Sequence, residues 1–296
     1  MARHAPTGPQ MTTMTTTLAP DAIDSEKREQ LLRDGFCRFE NILSPEMLGR
    51  LRTATDRMLD DVTPEQAERT RAQGSLLPTT ADPLFAELVT YRPALDALAA
   101  LGFPHPTFTD GYVISKPGHS PRLFWHYDWF AWEDPYSYGP VPPQVFAMYY
   151  LSDTTPENGC LRVIPGSHTR HNPLHDLLAE PHSERLSRAR DLSLPEFSTR
   201  PDEANVPVRA SDLLVGDARL LHAAHANVTD ERRTLITLWY QPRFDAMPER
   251  IQAQMATKIQ HAPEWWPAEA RERYSALLPR YDGSAAPYAR TLYRRR

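Results

Sequence analysis

The chain has 296 residues, 41% of them apolar and 24% charged, the composition of a globular protein long enough to build one large core or two modest ones. Two cysteines rule out a disulfide framework, a Cys₄ zinc site and a cubane cluster, so any metal must be held mainly by the eleven histidines and the carboxylates, and the expected compartment is reducing and cytoplasmic. A formal net charge of −5 speaks against a nucleic-acid partner, and every apolar run is broken by charge or proline before a bilayer could be spanned.

Residues 1–20, rich in Thr, Pro and Ala, have no apolar stretch of signal-peptide type and read as a disordered leader to a single domain over 21–296. A helix is expected from Asp24 to Leu32, with Asp24 or Ser25 as N-cap and Asp34-Gly35 as the stop. Phe36–Phe39 alternates like a short strand. Ser44-Pro45-Glu46 opens a second helix running to about Asp61, with Leu48, Leu51 and Met58 on one face. A third helical patch covers Pro83 to Ala100.

From Phe108 to Tyr240 the pattern changes to short alternating or β-branched runs separated by Pro, Gly, Asn and Asp, the signature of an antiparallel β-sandwich or barrel. The strand candidates are Gly111–Ser115, Leu123–Trp129, Val145–Leu151, Cys160–Ile164, Asp212–Val215, Ala218–Ala223 and Thr234–Tyr240. Glu157-Asn158-Gly159 has hairpin chemistry, and Pro165-Gly166-Ser167-His168 is a second turn. Residues 171–207 form a polar insertion with a helical patch near Glu184 to Asp191, of a length typical of a lid or a disordered loop. The tail from Pro248 onward reads as helical and proline-punctuated.

The most informative string is Trp125-His126-Tyr127-Asp128-Trp129. On a strand, residues two apart share a face, so His126 and Asp128 would present imidazole and carboxylate together. That is two thirds of a facial two-histidine, one-carboxylate site for ferrous iron. About a hundred residues later, Gly216-Asp217 is followed by His222 and His225, either of which could complete the site. Arg233 opens the next strand, and its fork of donors suits a carboxylate.

Taken in order, His126-Tyr127-Asp128, Asn158 through His168, and Gly216-Asp217 with His222, Asn227 and Arg233 resemble the phytanoyl-CoA dioxygenase family of Fe(II)- and 2-oxoglutarate-dependent oxygenases, over roughly Asp34 to Tyr240. The resemblance implies a mainly β fold with flanking helices around a double-stranded β-helix (jelly-roll, cupin-like) core. It implies His126, Asp128 and His222 as iron ligands, Arg233 on the distal carboxylate of 2-oxoglutarate, and a structural role for His168. It selects His222 over His225 because the family's histidine precedes the Asn by five positions and the Arg by eleven. Where many relatives carry a serine two residues after the third ligand, this chain has Ala224. Thr237, on the face of Arg233, is the candidate to replace it, and Lys116 is a further co-substrate candidate.

The implied reaction consumes 2-oxoglutarate and O₂, releases succinate and CO₂, and hydroxylates a C–H bond of a small organic molecule. With Asp128 in place no iron position is left for a halide, so halogenation is not expected. Desaturation, epimerisation or ring formation on the same iron site is the alternative outcome, and a non-catalytic cupin-like binding module is the alternative class. Aromatics crowd the first metal strand and the loop after it. Trp129, Trp132, Tyr149 and Trp239 are the candidates for a substrate wall.

Overall fold

The computed structural model describes residues 23–178 and 180–293; the leader expected over 1–20 lies outside them. Helix α1 (Ser25–Asp34) starts on Asp24, whose carboxylate accepts the Lys27 N–H at 3.0 Å, and stops at Gly35, which takes the left-handed φ of 90° that an L side chain resists. Strand β1 is Phe36–Phe39. Helix α2 (Pro45–Asp60) is capped by Ser44, with Pro45 in the first turn where no amide hydrogen is required. A short α3 (Pro64–Arg69), closed by a Thr63–Gln66 capping box, and the two-residue strand β2 (Leu77–Pro78) follow. The patch from Pro83 to Ala100 is two helices, α4 (Leu84–Val89) and α5 (Arg92–Ala100), because Pro93 cannot continue the helix that precedes it.

The β region contains β3 (Thr107–Lys116), β4 (Leu123–His126), β5 (Val145–Tyr150), β6 (Leu161–Val163), the short helix α6 (Glu184–Ser187), β7 (Ala204–Val206), β8 (Leu213–Asp217), β9 (His222–Ala224) and β10 (Arg233–Gln241). Helices α7 (Glu249–Ala256) and α8 (Ala268–Ser275) end the regular structure. One six-stranded sheet has the order β1-β8-β5-β10-β3-β2, and a four-stranded sheet has the order β4-β9-β6-β7. Every pairing among them is antiparallel. The two sheets face each other as a double-stranded β-helix.

The large sheet is buried on both faces. Leu31, Leu51, Phe85, Leu88 and Leu98 of the helices pack on Val113, Ala147, Val215, Ile236 and Leu238, while Phe146, Met148, Leu161, Val163, Leu214 and Leu235 fill the space between the sheets. A strand covered on both sides reads as a continuous apolar run, which explains Val145–Tyr150. Alternation then corrects one expectation: Tyr149 belongs to the helix-side core and has no contact with a substrate cavity.

Three further expectations need correction. The Asn158-Gly159 turn, with Gly159 at φ 92°, is an arch and not a hairpin, since it carries the chain from β5 in one sheet to β6 in the other. The run Ala218–Ala223 is a strand only from His222; Ala218 to Leu221 is the turn before it, with the Leu220 N–H on the Asp217 carbonyl. The tail is helical only over α7 and α8, after which an extended strap lies along residues 130 and 131 through the Thr291 N–H on the Phe130 carbonyl at 2.8 Å.

Candidate active site

Between the sheets lies a cavity of about 390 Å³. Strands β3 and β10 form one wall, and their register sets its chemistry. Lys116 pairs with Arg233, Ile114 with Leu235, Tyr112 with Thr237 and Asp110 with Trp239, and all eight side chains line the cavity because alternate residues of a strand share a face.

His126 at the end of β4 and His222 at the start of β9 are cross-strand partners, with ring centroids 4.1 Å apart. Each imidazole donates Nδ1–H to the carbonyl two residues earlier, Phe124 at 3.1 Å and Leu220 at 3.0 Å. That anchor fixes the tautomer and leaves both Nε2 lone pairs facing the cavity. Burial, and then the neighbouring His222, push the His126 imidazolium well below its ordinary pKa, so the ring is held neutral, as a metal ligand must be.

Asp128 arrives by a different route from the one alternation gives. Strand β4 stops at His126, where the expected Leu123–Trp129 strand ends early, because the N–H groups of Asp128 and Trp129 both turn to the Ala218 carbonyl at 2.8 Å. This turn brings Asp128 Oδ1 to 3.6 Å from His126 Nε2 and 4.0 Å from His222 Nε2. The separations are too long for hydrogen bonds and suit three groups converging on a shared ion. The second carboxylate oxygen, Oδ2, accepts the indole N–H of Trp239 at 2.9 Å, which leaves Oδ1 as the free donor atom.

At the inner end, Arg233 Nε and Nη1 are buried with no hydrogen-bond partner among the described residues, and so is Thr237 Oγ1 four residues farther along β10. Unpaired buried donors are costly, and a guanidinium with free N–H groups is a natural receptor for a carboxylate. Ala224 on β9 and Thr237 on β10 both line the cavity. Lys116 lines the same end, and its Nζ donates to the Ala72 carbonyl at 2.9 Å and to that of Pro121, tying the loop flanks together. Burial and the adjacent Arg233 push its pKa well down. Asn227 donates to the carbonyls of Lys116 and Glu231, clasping the turn that delivers Arg233.

Of the substrate-wall candidates only Trp239 lines the cavity. Trp129 is fully buried with its N–H on Ser137 Oγ at 2.7 Å, and Trp132 packs on Tyr127 and Tyr293. Their loop is held down by Arg219, which is paired with Asp217 and donates to the carbonyls of Ser137 and Gly139. Phe130, Tyr127 and Arg290 take the wall positions instead. His225 hydrogen-bonds Asn205 outside the site, and His168 meets the Leu32 carbonyl.

Sequence reasoning missed His182. It sits in the irregular 171–207 insertion at φ 59°, reaches the cavity, and stands edge-on to His126 with centroids 5.2 Å apart. Ligand atoms of His126, Asp128 and His182 lie within 4.8 Å of one another. Its Nδ1 is 3.0 Å from the amide nitrogen of Gln73. No motif or periodicity marks either residue, because the contact joins two loops.

A double-stranded β-helix with a two-histidine, one-carboxylate face and an unpartnered arginine behind it defines the 2-oxoglutarate-dependent oxygenase class. Within it, the chain belongs to the phytanoyl-CoA dioxygenase (PhyH) family, which it matches over residues 31–235. It is 26% identical over 253 residues to the ectoine dioxygenase of Nocardia farcinica, covering 78% of this chain and 82% of the relative. The ectoine dioxygenase of Sphingopyxis alaskensis is 26% identical over 227 residues, 70% of this chain and 72% of its own. Among solved structures, HygX of Streptomyces hygroscopicus with nickel and 2-oxoglutarate bound superposes with a TM-score of 0.57 at 24% identity, over 75% of this chain and 88% of its own. The epimerase SnoN from nogalamycin biosynthesis gives 0.55 at 21%, over 73% and 80%. At these identities the structural likeness establishes the fold.

Proposed function

We propose that the protein is an Fe(II)- and 2-oxoglutarate-dependent oxygenase that hydroxylates a C–H bond of a small organic molecule. In this reading His126 Nε2, Asp128 Oδ1 and His222 Nε2 hold the iron, and Arg233 with Thr237 receives the distal carboxylate of 2-oxoglutarate. The observation that carries it is the pairing of two features along one cavity: two imidazoles anchored through Nδ1 beside a carboxylate with one free oxygen, and buried donors of Arg233 and Thr237 with no acceptor among the described residues.

His222 is favoured over His182 as the second imidazole because its ring is locked by its own strand, whereas His182 hangs from a loop and is held by a side-chain amide. Iron bound with 2-oxoglutarate and O₂ supplies an oxidant able to take hydrogen from an unactivated carbon, with release of succinate and CO₂. The chain's own residues do the rest. Trp239 orients Asp128, the backbone carbonyls of Phe124 and Leu220 orient the imidazoles, and the apolar Leu235, Ile114 and Leu161 exclude water from the inner end.

The test is turnover. Succinate release that requires both Fe(II) and 2-oxoglutarate, and a product 16 mass units heavier than the small molecule consumed, is the expected result. A product two mass units lighter would make the outcome desaturation or ring closure, and no succinate under any condition would leave a binding module.

A further inference from the structure

The cavity wall built by β3 and β10 is electrically polarised. Lys116 and Arg233 face each other at its inner end, and Asp110 lies opposite Trp239 six residues farther along, about 20 Å away at the rise of an extended strand. Between them the wall is neutral, formed by Ile114, Leu235, Tyr112 and Thr237. The metal-site carboxylate belongs to the Asp110 end, since Trp239 donates to Asp128 while standing beside Asp110 across the strand pair. The co-substrate therefore enters the basic end, and whatever is oxidised meets the iron from the side of Asp110.

Asp110 is built as a receptor without a partner. Among the described residues, its side chain accepts one hydrogen bond, from the hydroxyl of its neighbour Thr109, at 2.7 Å. Among the described residues, no lysine, arginine or histidine lies within ion-pair distance of it. Lys258, after α7, lines the same cavity and acts on it only from farther off, and Asp128 acts on it with the opposite sign. Tyr112, two residues along the same face, and Trp239 stand edge to face with centroids 6.0 Å apart, giving an aromatic flank. A largely desolvated carboxylate beside two electron-rich rings attracts a positively charged nitrogen through charge pairing and cation–π contact together.

We propose that the substrate carries a cationic nitrogen, and that Asp110 binds it at the outer end of the cavity against Tyr112 and Trp239, presenting a neighbouring carbon to the iron. This rests on the oxygenase reading above. Burial raises the Asp110 pKa from 3.8 to about 6, so the receptor is charged above that pH and loses its charge as the pH falls through it.

The experiment is retention of small molecules by the protein loaded anaerobically with Fe(II) and 2-oxoglutarate. A defined equimolar mixture of primary and quaternary amines, zwitterionic amino acids, carboxylic acids, and neutral amides and alcohols is dialysed against wild type, Asp110→Asn and Lys258→Gln, and the retained compounds are identified by mass. Compounds with a cationic nitrogen should dominate the wild-type set. Their retention should fall by roughly tenfold or more in Asp110→Asn, as expected for losing a bond to a charged group, and fall likewise in wild type from pH 7.5 to 5. It should not fall in Lys258→Gln. A retained set that is neutral or anionic, a set without any cation, or equal retention by Asp110→Asn would overturn the proposal. Binding of iron and 2-oxoglutarate, read from the visible charge-transfer band, is the separate check: a band with no cation preference defeats the role of Asp110, and no band in wild type defeats the oxygenase reading beneath it.

Discussion

Replacing Trp239 by Phe isolates the bond that orients the metal-site carboxylate. An aromatic ring remains beside Tyr112, while the pyrrole half of the indole goes and with it the N–H, 2.9 Å from Asp128 Oδ2. A hydrogen bond to a charged acceptor is worth about 1.5–3 kcal/mol. Trp239 is half-buried, so the lower end applies, about 1.5 kcal/mol, which corresponds to roughly tenfold. This agrees with the roughly 10–100-fold loss in metal affinity that follows removal of a group orienting a ligand. The assay is an anaerobic Fe(II) titration in the presence of saturating 2-oxoglutarate, followed by the charge-transfer band. Trp239→Phe should show the band at full amplitude with iron affinity about tenfold weaker. Unchanged affinity would mean that Asp128 is positioned by the backbone turn at Ala218 alone, and the argument for Trp239 would fail.

Arg233→Gln removes the fork of donors at the inner end of the cavity, so the KM for 2-oxoglutarate should rise at least roughly tenfold with iron affinity little changed, measured by succinate release and by titration. Arg219→Leu leaves Asp217 charged and buried without its partner, and strips donors from the Ser137 and Gly139 carbonyls. Its cost should be about 3–5 kcal/mol in denaturant unfolding, with loss near zero as the contrary result. His175 is buried against Tyr293, and burial lowers its pKa from 6.5 to about 4. The unfolded chain therefore binds the extra proton first as the pH falls, and stability should drop by on the order of 3 kcal/mol between about pH 6.5 and 4. His175→Gln should flatten that part of the stability curve; an unaltered slope would show that the ring is protonated in the fold.

What was legible in the sequence was whatever depended on neighbours in the chain. The Asp24 and Ser44 caps, the stop at Gly35 and the strand runs around β5, β8 and β10 follow from local chemistry and periodicity. Spacing and family pattern single out His126, His222 and Arg233, and the fold brings them to one cavity because β4 pairs with β9 and β10 with β3. Strand alternation gives the wrong local reason for Asp128, which the turn onto the Ala218 carbonyl places beside His126 and His222. Trp129, Trp132 and Tyr149 misled because an aromatic residue in a sheet buried on both faces can serve either core, and alternation alone does not say which face borders the cavity. His182 and Gln73 left no trace, as their meeting depends on how an irregular insertion folds back over β4. Trp239 was named as a wall, but its bond to Asp128 could be seen only in three dimensions.

The central claim is that His126, Asp128 and His222 hold iron with 2-oxoglutarate seated on Arg233. Anaerobic addition of Fe(II) and then 2-oxoglutarate to the wild-type protein tests it most directly. A visible charge-transfer band that is absent in Asp128→Ala and weakened in Arg233→Ala is the predicted result; no band in wild type, or an undiminished band in Asp128→Ala, would contradict it.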